Sequence, residues 1–267
     1  MSDFTHLIST RWPELIPFLL VMGRTSGLMT SAPFWGGKTA PGLVRIVVTV
    51  GISAAIYPFV SIASRLPETP NVLFLLLALA REVLVGLLLG WTAQLLFVGM
   101  RLAGQLIELK MGLGLAQLID PHEGGQTSFF SILFDLIAVM VFLSLNGHHL
   151  LIQALISSYR LFPLAENTLS LILVKEMVSS AGTIFTIAIQ VSAPVIVGLL
   201  LSDIALAIVA RAVPHLNIFL IAPPLQLVFG MLLFLLSLPA VVWFCANYLS
   251  TLGAHLSALG QTPLPSQ

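Results

Sequence analysis

Six long apolar runs separated by short polar breaks make up most of the chain. They cover residues 15–32, 43–63, 72–118, 128–156, 177–210 and 216–249. The first two are close to the roughly 20 residues that carry a helix across a hydrocarbon core of about 30 Å. The third, as one helix rising 1.5 Å per residue, would run about 70 Å, and the last two about 51 Å each. Such runs either contain two helical pieces each or project well beyond a bilayer. Pro194 falls within the fifth run, and Pro223, Pro224 and Pro239 fall within the sixth. Proline removes a backbone donor and crowds the preceding turn, so each predicts a kink or a helix end. The pattern therefore predicts an all-α protein of membrane type, built from broken helical hairpins.

The breaks have turn chemistry. Residues 36–42 hold Gly-Gly, Lys38 and Pro41; 65–71 hold Pro67, Glu68 and Pro70. Residues 120–126, Asp-Pro-His-Glu-Gly-Gly-Gln, are the most loop-like stretch. Residues 159–175, with Pro163, Glu166 and Asn167, form the expected boundary between two portions, 1–170 and 171–267. At the N-terminus, Asp3 and Glu14 precede or flank the first apolar run and Arg24 follows its centre. A secretory leader has a basic start and a small-residue cleavage site, so a retained first helix is expected instead. The basic residues are scattered, with no loop asymmetry from which to read orientation.

Composition sharpens the class. Of 267 residues, 58% are hydrophobic and 8% charged, against about 45–50% (glycine included) and 25% in soluble domains. So few charges cannot surface a water-soluble globule of this size. Eleven basic and eleven acidic residues cancel, which leaves no basic footprint for nucleic acid. A single cysteine, Cys245, has no thiol partner for a disulfide or a thiolate zinc site. His148 and His149 are adjacent and should splay by about 100° on a helix. His122 lies in one loop with Asp120 and Glu123 and lacks the i, i+4 spacing of a zinc helix. No nucleophile elbow or dinucleotide loop is present. The sequence points to no catalysis, no metal and no cofactor.

Polar groups inside the apolar runs are the informative ones, because they are expensive in lipid and face protein or water. They include Arg24, Arg81, Glu82, Arg101, Glu108, Lys110, Asp135, Asp203 and Arg211. Arg81 and Glu82 are sequence neighbours, so each needs a partner elsewhere. On a continuous helix Gln94, Arg101, Gln105 and Glu108 fall within about 60° of one another, with Lys110 on the opposite side. Gly90 and Gly112 share the stripe. It suits either a hydrogen-bonded seam within the chain or a contact with another subunit or a conduit. Asp135 and Asp203 are expected to be paired or protonated in a contact, with proton carriage as the alternative. Two Gly-xxx-Gly pairs, Gly23/Gly27 and Gly86/Gly90, permit close helix approach.

Four stretches together resemble the FliR family, the flagellar type III export-gate proteins, whose virulence-secretion counterpart is the SctT family. They are Arg24-Thr-Ser-Gly27 with Pro33, Pro41 and Arg45; Gly104 through Met111-Gly112-Leu113 to Asp120-Pro121; Asn146-Gly147-His148-His149 with Ser158 and Pro163; and Arg211-Ala-Val-Pro214-His-Leu-Asn217-Ile-Phe219 with Pro224. They run in family order over residues 24–224. Lys110 and His215 stand where such chains often carry Gln, and Glu108 where a small residue is common. The resemblance implies a non-catalytic, channel-forming subunit of a helical hetero-oligomeric export gate in the bacterial inner membrane, at the flagellar basal body. It implies FliP-like and FliQ-like partners, work with FlhA-like and FlhB-like proteins, and passage of unfolded flagellar subunits. The first portion would correspond to a FliP-like unit and the second to a FliQ-like hairpin turning at Arg211, Pro214 and Asn217. Gln94, Arg101, Gln105, Glu108, Met111, Gly112, Asp120 and Pro121 become candidates for subunit contact or the channel lining. A virulence export gate is the nearest alternative. A small proton-coupled transporter or channel, which would fold alone or as a homo-oligomer, is the more distant one.

Overall fold

The computed structural model describes residues 2–33, 41–60, 71–113, 128–164, 171–213, 215 and 218–259. All the regular structure among these is helical: α1 (Ser2–Ser31), α2 (Gly42–Ile56) followed by a short 3-10 turn, α3 (Val72–Lys110), α4 (Phe129–Ser144), α5 (Gly147–Leu161), α6 (Leu171–Ala212) and α7 (Ile218–Leu259). Among the described residues, four stretches are long and apolar enough to cross a membrane: Gly42–Phe59, Val72–Lys110, Ser180–Ala212 and Leu220–Gly253. A fifth crossing is possible if α4 and α5, bent by 68° at their junction, act as one.

The break in the α4–α5 pair sits at Asn146, which adopts left-handed backbone angles (φ 55°, ψ 37°). Asparagine tolerates this conformation better than most residues. It stops α4 at Ser144 and starts α5 at Gly147, with the Asn146 carbonyl accepting from the His149 and Leu150 amides. The prolines do not end helices: Pro194 lies inside α6, and Pro223, Pro224 and Pro239 lie inside α7. In apolar surroundings, continuing the helix keeps every other backbone group bonded, whereas ending it would strand several. The long runs thus resolve as long helices. α3, at 39 residues, spans about 58 Å, and α6 and α7, at 42 residues each, about 63 Å.

The chain divides into two compact units: Met1–Gln94 with Asn146–Val178 and Ser250–Gln267, and Leu95–Leu145 with Ser179–Leu249. In the first unit, α1 and α3 meet through the two glycine pairs. A methyl at Gly27 would collide with the Val83 carbonyl, and one at Gly86 with the Arg24 carbonyl. The backbones approach as closely as small residues allow. In the second unit the Phe234 ring meets Phe130 and Phe134 edge-on, at 5.3 and 5.4 Å. The buried Cys245 Sγ rests 3.6 Å from the Met100 sulfur. α6 and α7 pair antiparallel, Gly198 against Leu233 and Leu199 against Gly230.

Candidate functional site

A buried knot of charge lies in the first unit. Arg24, on α1, is fully enclosed, as is Glu82 on α3. Arg24 Nε donates to Glu82 Oε2 at 2.7 Å, and Nη2 lies 2.6 Å from the same oxygen. Nη1 donates to the Ser158 hydroxyl at 3.0 Å and Nη2 to the Phe162 carbonyl at 2.9 Å. The guanidinium also lies 4.2 Å over the Tyr159 ring, a favourable cation–π position. A planar fork with five donors suits this arrangement, and lysine could not reproduce it. Arg24 and Glu82, flagged in the sequence, are therefore each other's partners. Ser158 and Tyr159 were not legible as partners, since nothing in α5 marks which of its polar residues turns inward. Arg81 is buried as well, and its Nη1 has no hydrogen-bond partner among the described residues.

The second unit distributes its polar groups along α3 and the helices beside it. Arg101 and Asp135 form an ion pair, Nε to Oδ1 at 3.3 Å, with side chains 41% and 40% exposed. Gln105, one turn on, is exposed. Glu108 is buried and accepts from the Ser128 hydroxyl. That serine also caps α4 by accepting from the Ser131 amide at 3.2 Å. Lys110 ends α3, and its Nζ donates to Asp203 Oδ2 at 2.6 Å, the two side chains being 31% and 32% exposed. Gln226 Nε2 donates to the other oxygen, Oδ1, also at 2.6 Å. Met111 is buried with its methyl end against Gly230, where an added Cβ would strike it. Gly112 has φ +79°, a backbone that L side chains resist.

The stripe thus separates into different fates. Gln94 is half-buried, and its Oε1 is buried without a hydrogen-bond partner among the described residues. Arg101 and Gln105 reach the surface, and Glu108 turns into the chain. Asp135 and Asp203 are each paired, and Lys110, on the other side of α3, serves the second. Arg211 is exposed at the end of α6, and α7 begins at Ile218. Asp120, Pro121, Pro214 and Asn217 lie outside the described residues. Gln226 was missed, although a signal existed: it and Asp203 are nearly equidistant from Pro214, so a hairpin turning there sets them opposite. His148 and His149 do not splay as expected; their rings lie 4.3 Å apart, tilted by 38°. Side-chain torsions close the gap that backbone direction opens. No cluster of three metal-ligating side chains occurs among the described residues.

Long apolar helices with sparse charges can pack, line and gate. The sequence matches a family model described as "Bacterial export proteins, family 1" over residues 15–252. The chain belongs to the bacterial export proteins of family 1. Its relatives are proteins named flagellar biosynthetic protein FliR. That of Bacillus subtilis (strain 168) is 31% identical, with 89% of this chain and 92% of that protein covered. That of Aquifex aeolicus (strain VF5) is 31% identical, with 88% and 90% covered. That of Escherichia coli (strain K12) is 30% identical, with 90% and 87% covered. Membership of this flagellar export family, which is non-enzymatic, agrees with the resemblance carried by the four motifs.

Proposed function

We propose that this chain is a structural, channel-forming subunit of the flagellar type III protein export gate in the bacterial inner membrane. It assembles with FliP-like and FliQ-like subunits, works with FlhA-like and FlhB-like proteins, and lets unfolded flagellar subunits pass. The family match over nearly the whole chain carries the reading. Within that frame, residues 1–170 act as the FliP-like portion and 171–267 as the FliQ-like hairpin, turning between Arg211 and Asn217.

The exposed apolar surface supports assembly over solitary function. Only 11–28% of the most apolar window in each of the four spans is buried within the chain. Helices of about 58–63 Å exceed a hydrocarbon core of about 30 Å, so lipid alone cannot cover them. Neighbouring subunits of similar apolar helices can. Arg101 and Gln105 are the polar contacts offered to such neighbours, with the half-buried Gln94 on the same stripe. Glu108, Met111 and Gly112 shape the turn that leads to Asp120 and Pro121, the stretch assigned to subunit contact or the channel lining.

Native mass spectrometry of the chain, co-expressed in membranes with its neighbouring genes, tests this. A hetero-oligomer containing this chain and FliP-like and FliQ-like subunits is expected. A stable particle of this chain alone would replace the export-gate reading with a transporter or channel.

A further inference from the structure

We propose that Asp203 is a positioning residue, gripped at both carboxylate oxygens, that sets where α3 ends against the α6–α7 hairpin and so holds the exit turn Met111–Gly112–Leu113 in the geometry export requires. The proposal rests on the export-gate reading above.

Three fixings follow one another within three residues. Lys110, the last residue of α3, bonds Asp203 Oδ2 on α6 at 2.6 Å. Gln226 on α7 bonds Oδ1 at the same distance, so one carboxylate ties three helices. Met111 follows and is buried in the notch that Gly230 leaves, beside Leu199. Leu199 precedes Asp203 by one turn of α6, and Gly230 follows Gln226 by one turn of α7. The polar tie and the apolar seat therefore occupy adjacent turns of the same hairpin. Gly112 then takes φ +79°, with none of the described residues near the place of its missing Cβ. That backbone direction favours glycine. The turn closes with the Gly112 amide on the Leu109 carbonyl and the Leu113 amide on the Glu108 carbonyl, both at 3.2 Å.

The chemistry of the cluster favours holding over carrying. An unpaired carboxylate on a hairpin this apolar would be expensive. Here each oxygen of Asp203 receives a donor, and Lys110 balances its charge. A proton carrier needs its charge to change; a tie needs only its acceptors. The two roles separate at Asp203→Asn. The amide oxygen still accepts from Lys110, and Gln226 can rotate its amide to offer an oxygen to the new NH2 group.

The experiment measures flagellin exported into the medium by cells carrying each variant, with native mass spectrometry of the gate in parallel. Asp203→Ala is expected to lower export at least tenfold while the chain remains in the hetero-oligomer. Asp203→Asn should keep at least half of wild-type export, and Lys110→Met and Gln226→Leu should each lower it several-fold. The exchange Lys110→Asp with Asp203→Lys should export better than either single reversal. Wild-type export by Asp203→Ala overturns the proposal. So does an Asp203→Asn variant as inactive as Asp203→Ala when Lys110→Met and Gln226→Leu export normally, because ionisation would then be the requirement. If Asp203→Ala fails to assemble, normal export by both partner variants overturns it equally. Failure of the export-gate reading shows separately, in the unsubstituted chain found outside any hetero-oligomer, and removes both.

Discussion

The ion pairs of the two units differ sharply in burial. In the first, Arg24 and Glu82 are wholly enclosed, and the guanidinium spends its donors on Glu82, Ser158 and the Phe162 carbonyl. In the second, Arg101–Asp135 and Lys110–Asp203 leave roughly a third or more of each side chain exposed. A buried pair is costly to form and still costlier to break from one side. A half-exposed pair contributes little stability, yet remains within reach of a neighbouring subunit. On the proposed reading, the first knot serves folding, and the second set of pairs serves assembly and the exit turn.

That contrast is breakable. The largest effect is expected from Arg24→Met, which leaves Glu82 charged and enclosed at a cost of about 3–5 kcal/mol. The variant should barely accumulate in membranes. Arg24→Met with Glu82→Leu should recover much of the level on an immunoblot. A single variant as abundant as wild type would show that the knot is dispensable. Next comes Gly86→Val, which drives a side chain into the Arg24 carbonyl. Overpacking of this kind costs about 1–3 kcal/mol or more where backbone must move, read as a lower melting temperature of the solubilised gate.

The intermediate test compares two charge reversals on one helix. Glu108→Lys strikes a buried group bonded to Ser128 and should lower chain abundance. Arg101→Glu strikes a half-exposed group and should leave abundance near normal while blocking assembly or motility in soft agar. Full motility with both reversed singly would remove the stripe from the functional surface. A smaller number should come from a double-mutant cycle on Arg101→Ala and Asp135→Ala, with a coupling of about 0.2–1 kcal/mol. The smallest change is expected in abundance from Pro214→Leu and Asn217→Ala. If neither alters gate assembly or export, the turn after Arg211 is only a connection.

Much of the architecture was legible in the pattern of apolar runs, because helices in apolar surroundings need little beyond length and composition to be recognised. The bend between α4 and α5 was not. Asn146-Gly147 was noticed as part of a motif, and the prolines drew the expectation of breaks instead. Proline weakens one bond of a helix, whereas a left-handed residue redirects the chain, and only the second ends a segment here. Of the site, the flagged ions were legible through the expense of burying charge. Their partners were mostly not, since Ser128, Ser158 and Tyr159 are unremarkable residues until tertiary packing selects them. Gln226 was missed too, although its near-equal distance from Pro214 with Asp203 carried a signal for it.

The length of α6 and α7 bears on how the cell must handle this subunit. Their apolar stretches, Ser180–Ala212 and Leu220–Gly253, of 33 and 34 residues, run about 50 Å and would have to tilt by roughly 53° to hide within a core of about 30 Å, beyond the range of about 0–40° that membrane helices adopt. Inserted without companions, the chain exposes greasy helix ends to water and has no depth at which it rests comfortably. Its synthesis should therefore be matched in time and number to that of its neighbours. Any surplus copy would carry unpartnered apolar surface, which invites aggregation.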